Sequence, residues 1–184
     1  MSRGQIFLYS ILSCLILICI IDDSEELPGL TIKKLQACPK YPKALAKLSN
    51  IKLKKVKENM LISYTGVISR DITNDLEVQA VLTRCAASEA LDTCERMRPF
   101  TIKNFCRFFN IDKTPWSSFL NFLKPHVTCP IKKGTYVLKD AEVSSGDFGR
   151  FPFASGFYKF EFILKDQGNG DVITCVYVEA TLNP

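Results

Sequence analysis

The sequence predicts a mainly β fold that is antiparallel and disulfide-stabilised, with one or two short helices. Apolar and polar residues alternate along several segments, a pattern typical of strands with one buried and one solvated face. The connections between these segments are short, which favours antiparallel neighbours. An N-terminal apolar run predicts export of the chain. The six cysteines that follow this run would then lie in an oxidising compartment, where disulfides form.

The first segment has the composition of a signal peptide. Arg3 is the only charged residue before Asp22, and residues 6–21 form a largely apolar run. Its length lies between that of a signal-peptide core, ~7–15 residues, and that of a membrane span, ~20 residues. We predict that residues 1–21 are a signal peptide, extending to about residue 24 if cleavage is later. An uncleaved anchor is the alternative, and either segment delivers the domain outside the cytosol.

The remainder is predicted to be a leader followed by one domain. Residues 22–37 begin with acidic residues and contain Pro28-Gly29, so we expect a loose leader. Residues 38–184 have a length that suits one domain, and 47% of the chain is hydrophobic, enough for a sizeable core. Within this domain, the run KALAKL at residues 43–48 is compatible with the start of a short helix.

We predict strands wherever apolar residues recur at every second position. Leu76, Val78, Ala80 and Leu82, for example, alternate with residues that are mostly polar. The predicted strands cover residues 51–56, 62–68, 76–83, 135–143, 158–165 and 172–180. The run Gln167-Gly-Asn-Gly170 predicts a hairpin turn between the last two strands.

Two short helices are predicted between the strands. One covers residues 101–110 and begins at Thr101, a favourable N-cap residue. A second helix begins at Thr114-Pro115, since proline is favoured at the first helical position, and it ends at Pro125.

Charge and cysteine spacing exclude several classes of function. The formal net charge is +5 and the lysines are scattered, whereas nucleic-acid binding needs a basic stripe. The cysteines after the apolar run imply three disulfides with 15 possible pairings. Metal sites need close cysteine pairs and histidines, and the chain has one histidine, so we predict no metal and no cofactor. No motif pairs a nucleophile with a base, so we do not predict an enzyme.

One set of motifs resembles a known family. The run Cys129-Pro-Ile-Lys-Lys-Gly-Thr-Tyr136, then Gly156-Phe-Tyr158, then a last strand carrying Cys175, resembles the ganglioside activator family of sphingolipid activators. It is equally similar to the insect chemosensory-B proteins, which are themselves similar to that activator. The resemblance extends over residues 38–182.

The resemblance implies a β-cup, in which antiparallel strands surround an apolar cavity that accepts the acyl chains of a lipid. It also implies the disulfides Cys38–Cys175, Cys85–Cys94 and Cys106–Cys129. The activator has a further cysteine pair before the Cys-Pro motif, and residues 117–128 of this chain contain none. The chain has no N-glycosylation sequon, which favours secretion over lysosomal delivery.

The alternating aromatic and aliphatic residues are the candidate cavity lining. From the residues alone, they would equally form a packed core, and the resemblance favours a cavity. The predicted lining residues are Tyr158, Phe160, Phe162, Leu164, Val176, Val178, Ile62, Tyr64, Val78 and Leu82.

Two aromatic segments are candidates for the rim. Phe148, Phe151 and Phe153 lie in a glycine-rich loop, which we expect either to touch a membrane or gate the cavity, or to fold back as a lid. Trp116 and Phe119 are candidates for the opposite rim, with packing against the core as the alternative.

These observations predict a secreted lipid-binding protein. It would hold the apolar chain of a glycolipid, fatty acid or long-chain hydrocarbon and present it to a membrane, a hydrolase or a chemosensory receptor. The alternative is a secreted interaction module with a filled core that acts through its surface. No nucleic acid is expected as a partner.

Overall fold

The computed structural model describes residues 29–57, 59–109, 111, 114, 116–143 and 154–182, without the side chain of Ser118. Within these residues the chain is built mostly from strands. They are β1 (Leu30–Ala37), β2 (Ala46–Val56), β3 (Asn59–Ile68), β4 (Leu76–Cys85), β5 (Glu95–Arg96), β6 (Phe100–Ile102), β7 (Leu123–Lys124), β8 (Gly134–Val143), β9 (Gly156–Asp166) and β10 (Val172–Leu182).

Helical structure in these residues is limited to short segments. Two 3-10 helices cover Leu91–Thr93 and Phe105–Phe108, and the α-helix α1 covers Ser117–Phe122. No helix in the described ranges has the length and apolar composition needed to cross a membrane.

The strands form two antiparallel sheets that pack face to face. Sheet A has the order β1-β10-β9-β4-β5, with β6 also paired to β4, and sheet B has the order β2-β3-β8-β7. One buried apolar cluster includes residues from both sheets, among them Tyr158 of sheet A and Ile62 of sheet B, so the main core lies between them. The predicted fold class is confirmed, and each of the six predicted strands lies inside an observed one.

The predicted leader was wrong for residues 30–37, which form β1. This strand pairs with β10 from Leu30 opposite Leu182 to Ala37 opposite Val176. Leu30 and Ile32 are buried in the main core, and their burial stabilises the pairing of this segment with β10.

The helices predicted at residues 43–48 and 101–110 were also wrong in large part. β2 begins at Ala46, whose pairing with Ile68 of β3 outweighs the helix propensity of alanine and lysine. Phe100–Ile102 is a strand paired with β4, and only Phe105–Phe108 is helical. Asn104 lies between them with φ of 54°, outside the α-helical region.

The helix predicted from Thr114-Pro115 exists but begins at Ser117, later than predicted. The N-cap of α1 is Trp116 rather than Thr114, and no side chain caps it. Instead, the Ser117 hydroxyl donates a hydrogen bond to the Thr114 carbonyl oxygen at 2.8 Å.

Among the described residues, three disulfides tie the strands and loops together. They join Cys38 to Cys175, Cys85 to Cys94 and Cys106 to Cys129, which are the pairs that the resemblance implied. The first lies on the outer side of sheet A with Ile163, away from the core between the sheets. Such a set of bonds is typical of an oxidising compartment.

Candidate functional site

The inner face of sheet A contains a row of residues that the other sheet does not fully cover. Val176 of β10 lies opposite Phe162 of β9, which lies opposite Ala80 of β4. Ala80 in turn lies opposite Phe100 of β6. We call Val176, Phe162, Ala80 and Phe100 the middle row, since they cross sheet A about halfway along its strands.

The two aromatic residues of the middle row are exposed. Phe162 is 37% exposed and Phe100 44% exposed, while Ala80 between them is buried. A solid sandwich would cover the centre of its inner face at least as well as the ends, because protein interiors are close-packed. Solvent therefore reaches the Phe162 and Phe100 side chains of the middle row, and we call the space beside these two rings the inner recess.

Both ends of the same face are closed. Towards the end of sheet A marked by Gly156 and Leu182, Tyr158 is only 1% exposed. Towards the opposite end, Leu76 is wholly buried and Ile173 is 1% exposed. The inner recess is thus bounded along the strand direction by packed side chains.

A buried carboxylate organises the structure at the Leu76 end. The Asp166 Oδ1 atom accepts hydrogen bonds from the Asn74 side-chain amide at 2.8 Å and from the Gly168 backbone N–H at 2.9 Å. The Gln167 backbone N–H donates to the Asp75 carbonyl oxygen at 2.8 Å. These bonds join the predicted hairpin turn to the segment that precedes β4.

An aromatic stack runs along β9 towards the inner recess. The rings of Tyr158 and Phe160 are 5.6 Å apart at 18°, and those of Phe160 and Phe162 are 5.8 Å apart at 7°. Because Tyr158 is packed into the core, the stack connects the exposed Phe162 ring to that core.

The structure brings most of the predicted lining residues to the inner face of sheet A, and only some of them border the inner recess. Tyr158, Phe160, Ile62 and Leu82 are buried, as expected of core residues. Those that are half-buried or exposed are Phe162, Leu164, Val176, Val178, Val78 and, on β3 of sheet B, Tyr64. Sequence reasoning missed Phe100, which stands in a strand of three residues.

The rim predictions separate into two groups. Trp116 packs inwards, because its Nε1–H donates a hydrogen bond to the Phe108 carbonyl oxygen at 3.0 Å and its ring lies 5.1 Å from that of Phe105. Phe119 is half-buried against the same core, so the packing alternative describes both residues. Phe148, Phe151 and Phe153 lie outside the described residues.

Two surface recesses formed by described residues lie away from the inner recess. One of about 390 Å³ is lined by outer-face residues of sheet A, including Lys34, Glu161 and Tyr177. One of about 400 Å³ lies beside it, along residues 40–45 and 170–172. In the part of the chain that the structure describes, no group of three or more His, Cys, Asp or Glu residues is placed to hold a metal ion.

Comparisons with known proteins give a partial family match and two fold likenesses. A family model described as a protein of unknown function (DUF1091) matches residues 90–160. No curated protein matches the sequence.

Among solved structures, the chain is similar to a Niemann-Pick type C2 protein from the Japanese carpenter ant. The TM-score is 0.42 and the identity 14%, over 80% of this chain and 98% of that one. It is also similar to chicken MD-1 complexed with lipid IVa, with a TM-score of 0.39 and 10% identity over 84% of this chain and 90% of that one.

Proposed function

We propose that this protein binds the apolar chain of a lipid in the inner recess. The observation that carries the proposal is the exposure of Phe162 and Phe100 on a face whose ends are buried. Each methylene moved from water into such a site contributes ~0.8 kcal/mol, so affinity should rise with the length of the chain. The proposal rests on this face of the chain itself rather than on the lipid IVa of the chicken MD-1 complex.

We further propose that the protein is secreted and carries its ligand to another partner. Three disulfides support passage through an oxidising compartment. Two delivery roles follow from the family resemblance. One is lifting a glycolipid from a membrane towards a hydrolase, and the other is carrying a long-chain ligand to a chemosensory receptor.

Lipid binding is tested first on the wild-type protein and two matched variants. Native mass spectrometry after gentle purification should show an added lipid mass. Phe162→Asn should weaken binding of an uncharged fluorescent lipid probe by about tenfold or more, because one well-buried phenyl ring contributes ~1.5–3 kcal/mol. Val137→Asn is the matched control, since Val137 is 41% exposed on the outer face of sheet B. It should leave binding unchanged.

Other outcomes favour the surface-binding alternative. A protein that carries no lipid and binds no apolar probe would contradict the proposal. Equal losses in Phe162→Asn and Val137→Asn would show that the probe adheres to exposed apolar surface rather than entering the inner recess.

The two delivery roles are separated by a vesicle experiment. Extraction of a labelled glycolipid from vesicles should require contact with the bilayer, whereas carriage of a free ligand should not. Phe151→Ser and Phe153→Ser, at positions that the sequence predicts as a membrane-touching rim, should slow extraction and leave binding of a free ligand unchanged. Equal extraction rates would favour carriage.

A further inference from the structure

Tyr64 of β3 lies at the most irregular point of sheet B. Ser49 and Lys52 of β2 lie opposite Thr65 and Ser63 of β3, so β2 has an extra residue facing Tyr64. On the other side, Ile62 and Tyr64 lie opposite Ala141 and Leu138 of β8, which also has an extra residue. Bulges bend a strand and re-aim nearby side chains, and they are over-represented beside functional sites.

Both bulges contain a residue with a left-handed backbone. Asn50 has φ of 53° and Asp140 has φ of 49°. Such values are uncommon outside glycine and are best tolerated by asparagine and aspartate. The Ser63 hydroxyl holds the second bulge, accepting from the Asp140 backbone N–H at 2.9 Å and donating to Asp140 Oδ1 at 3.2 Å. The backbone around Tyr64 is thus fixed from both sides.

The hydroxyl of Tyr64 differs from those of the two other inner-face tyrosines. Tyr136 donates to the Lys132 carbonyl oxygen at 2.7 Å, and Tyr158 donates to the Ala154 carbonyl oxygen at 2.6 Å. Within the described residues, the Tyr64 hydroxyl makes no such bond, and it is not among the fully buried unpaired oxygens either. It therefore keeps some solvent-accessible surface.

The surroundings of Tyr64 are nevertheless dry. Its side chain is half-buried and packs against the main core, and burial raises the pKa of its phenol. A neutral hydroxyl that is unpaired, partly accessible and poorly hydrated is suited to bind a polar atom of a ligand. The half-buried or exposed inner-face residues of sheet A named above, which are Phe162, Leu164, Val176, Val178 and Val78, carry no charge.

We propose that Tyr64 is the polar anchor of the inner recess and donates a hydrogen bond to an uncharged oxygen of the bound ligand. This inference rests on the proposed function and narrows it. The ligand would be a long apolar chain with an ester or hydroxyl group, rather than a pure hydrocarbon or a carboxylate. A carboxylate would lose its hydration there without gaining a cationic partner.

The test compares three probes of equal chain length, namely hexadecane, methyl palmitate and palmitate, by displacement of an apolar fluorophore. Tyr64→Phe should weaken methyl palmitate binding about 3- to 10-fold, the effect of one net hydrogen bond, and leave hexadecane binding within about twofold. Tyr136→Phe is the matched control, because it removes a hydroxyl that already has a backbone partner. It should change neither affinity.

Three results would overturn the inference while leaving the proposed function intact. They are unchanged methyl palmitate binding in Tyr64→Phe, an equal loss for hexadecane and methyl palmitate, and tighter binding of palmitate than of its methyl ester. Failure of the wild-type protein to bind any of the three probes would instead overturn the proposed function, and the role of Tyr64 with it.

Discussion

Tyr177, on the outer face of sheet A, has a pKa that depends on its burial and on a carboxylate on the same face. Tyr177 of β10 donates a hydrogen bond to Glu179 Oε1 at 2.8 Å, two residues along the same face. Burial, and then the Glu179 carboxylate, raise the pKa of Tyr177 from about 10 to about 12. The neutral phenol therefore stabilises the folded protein below about pH 10, and this contribution is lost as the pH rises through about 12.

We predict that Glu179→Gln lowers the pKa of Tyr177, because it removes the carboxylate that disfavours the phenolate. Burial remains as a cause, so the pKa should stay above its ordinary value. The measurement is an ultraviolet titration of tyrosine ionisation, with Tyr177→Phe to assign the signal. A Tyr177 titration that is the same in Glu179→Gln and wild type would contradict the assignment of its cause.

At the scale of elements, regular alternation was sufficient to predict strands and irregular alternation was not. β9 and β10 alternate over nearly their whole length, so the face formed by Tyr158, Phe160 and Phe162 could be predicted. β1 has a register shift between Ile32 and Lys34, which leaves Lys33 as an extra residue. This bulge breaks the period of two, and the segment therefore has no strand pattern in the sequence.

The same limit applies to the candidate site. Phe100 could not be placed on the inner face because β6 has three residues, too few to show a period. Tyr64 was predicted as a lining residue, but the two bulges that flank it arise from pairing with strands distant in sequence. The inner recess depends on how the two sheets pack on each other, which no local sequence pattern records.

We predict that Ile32→Ala destabilises the protein, which would show that β1 is part of the fold. Ile32 is buried between the sheets, and truncation of a buried isoleucine costs about 2–5 kcal/mol. The measurement is the free energy of unfolding in urea. Lys33→Ala, at the exposed extra residue beside it, should change this free energy by less than about 0.5 kcal/mol. Equal effects of the two substitutions would count against the pairing of β1.

For the whole molecule, the disulfides differ in how much of the chain they constrain. Cys38–Cys175 joins residues 137 apart in sequence, whereas Cys85–Cys94 joins residues 9 apart. In the chain-entropy model, the longer loop restricts the unfolded state more strongly.

We predict a larger loss of stability from removal of the longer link. Replacing Cys38 and Cys175 by alanine should lower the free energy of unfolding by about 5 kcal/mol, and replacing Cys85 and Cys94 by about 3 kcal/mol. Denaturation under non-reducing conditions gives both values. A larger effect of the Cys85–Cys94 replacement would show that native packing, rather than loop length, dominates.

The Cys38–Cys175 bond also determines how the molecule would respond to mechanical load. Leu30 and Leu182 are paired neighbours, so a force pulling them apart would separate β1 from β10 one residue pair at a time. The peeling would stop at the covalent link, and the chain between residues 38 and 175 would carry no tension. Stretching would thus separate β1 from β10 at one edge of sheet A, and Phe162 on β9 would carry no load.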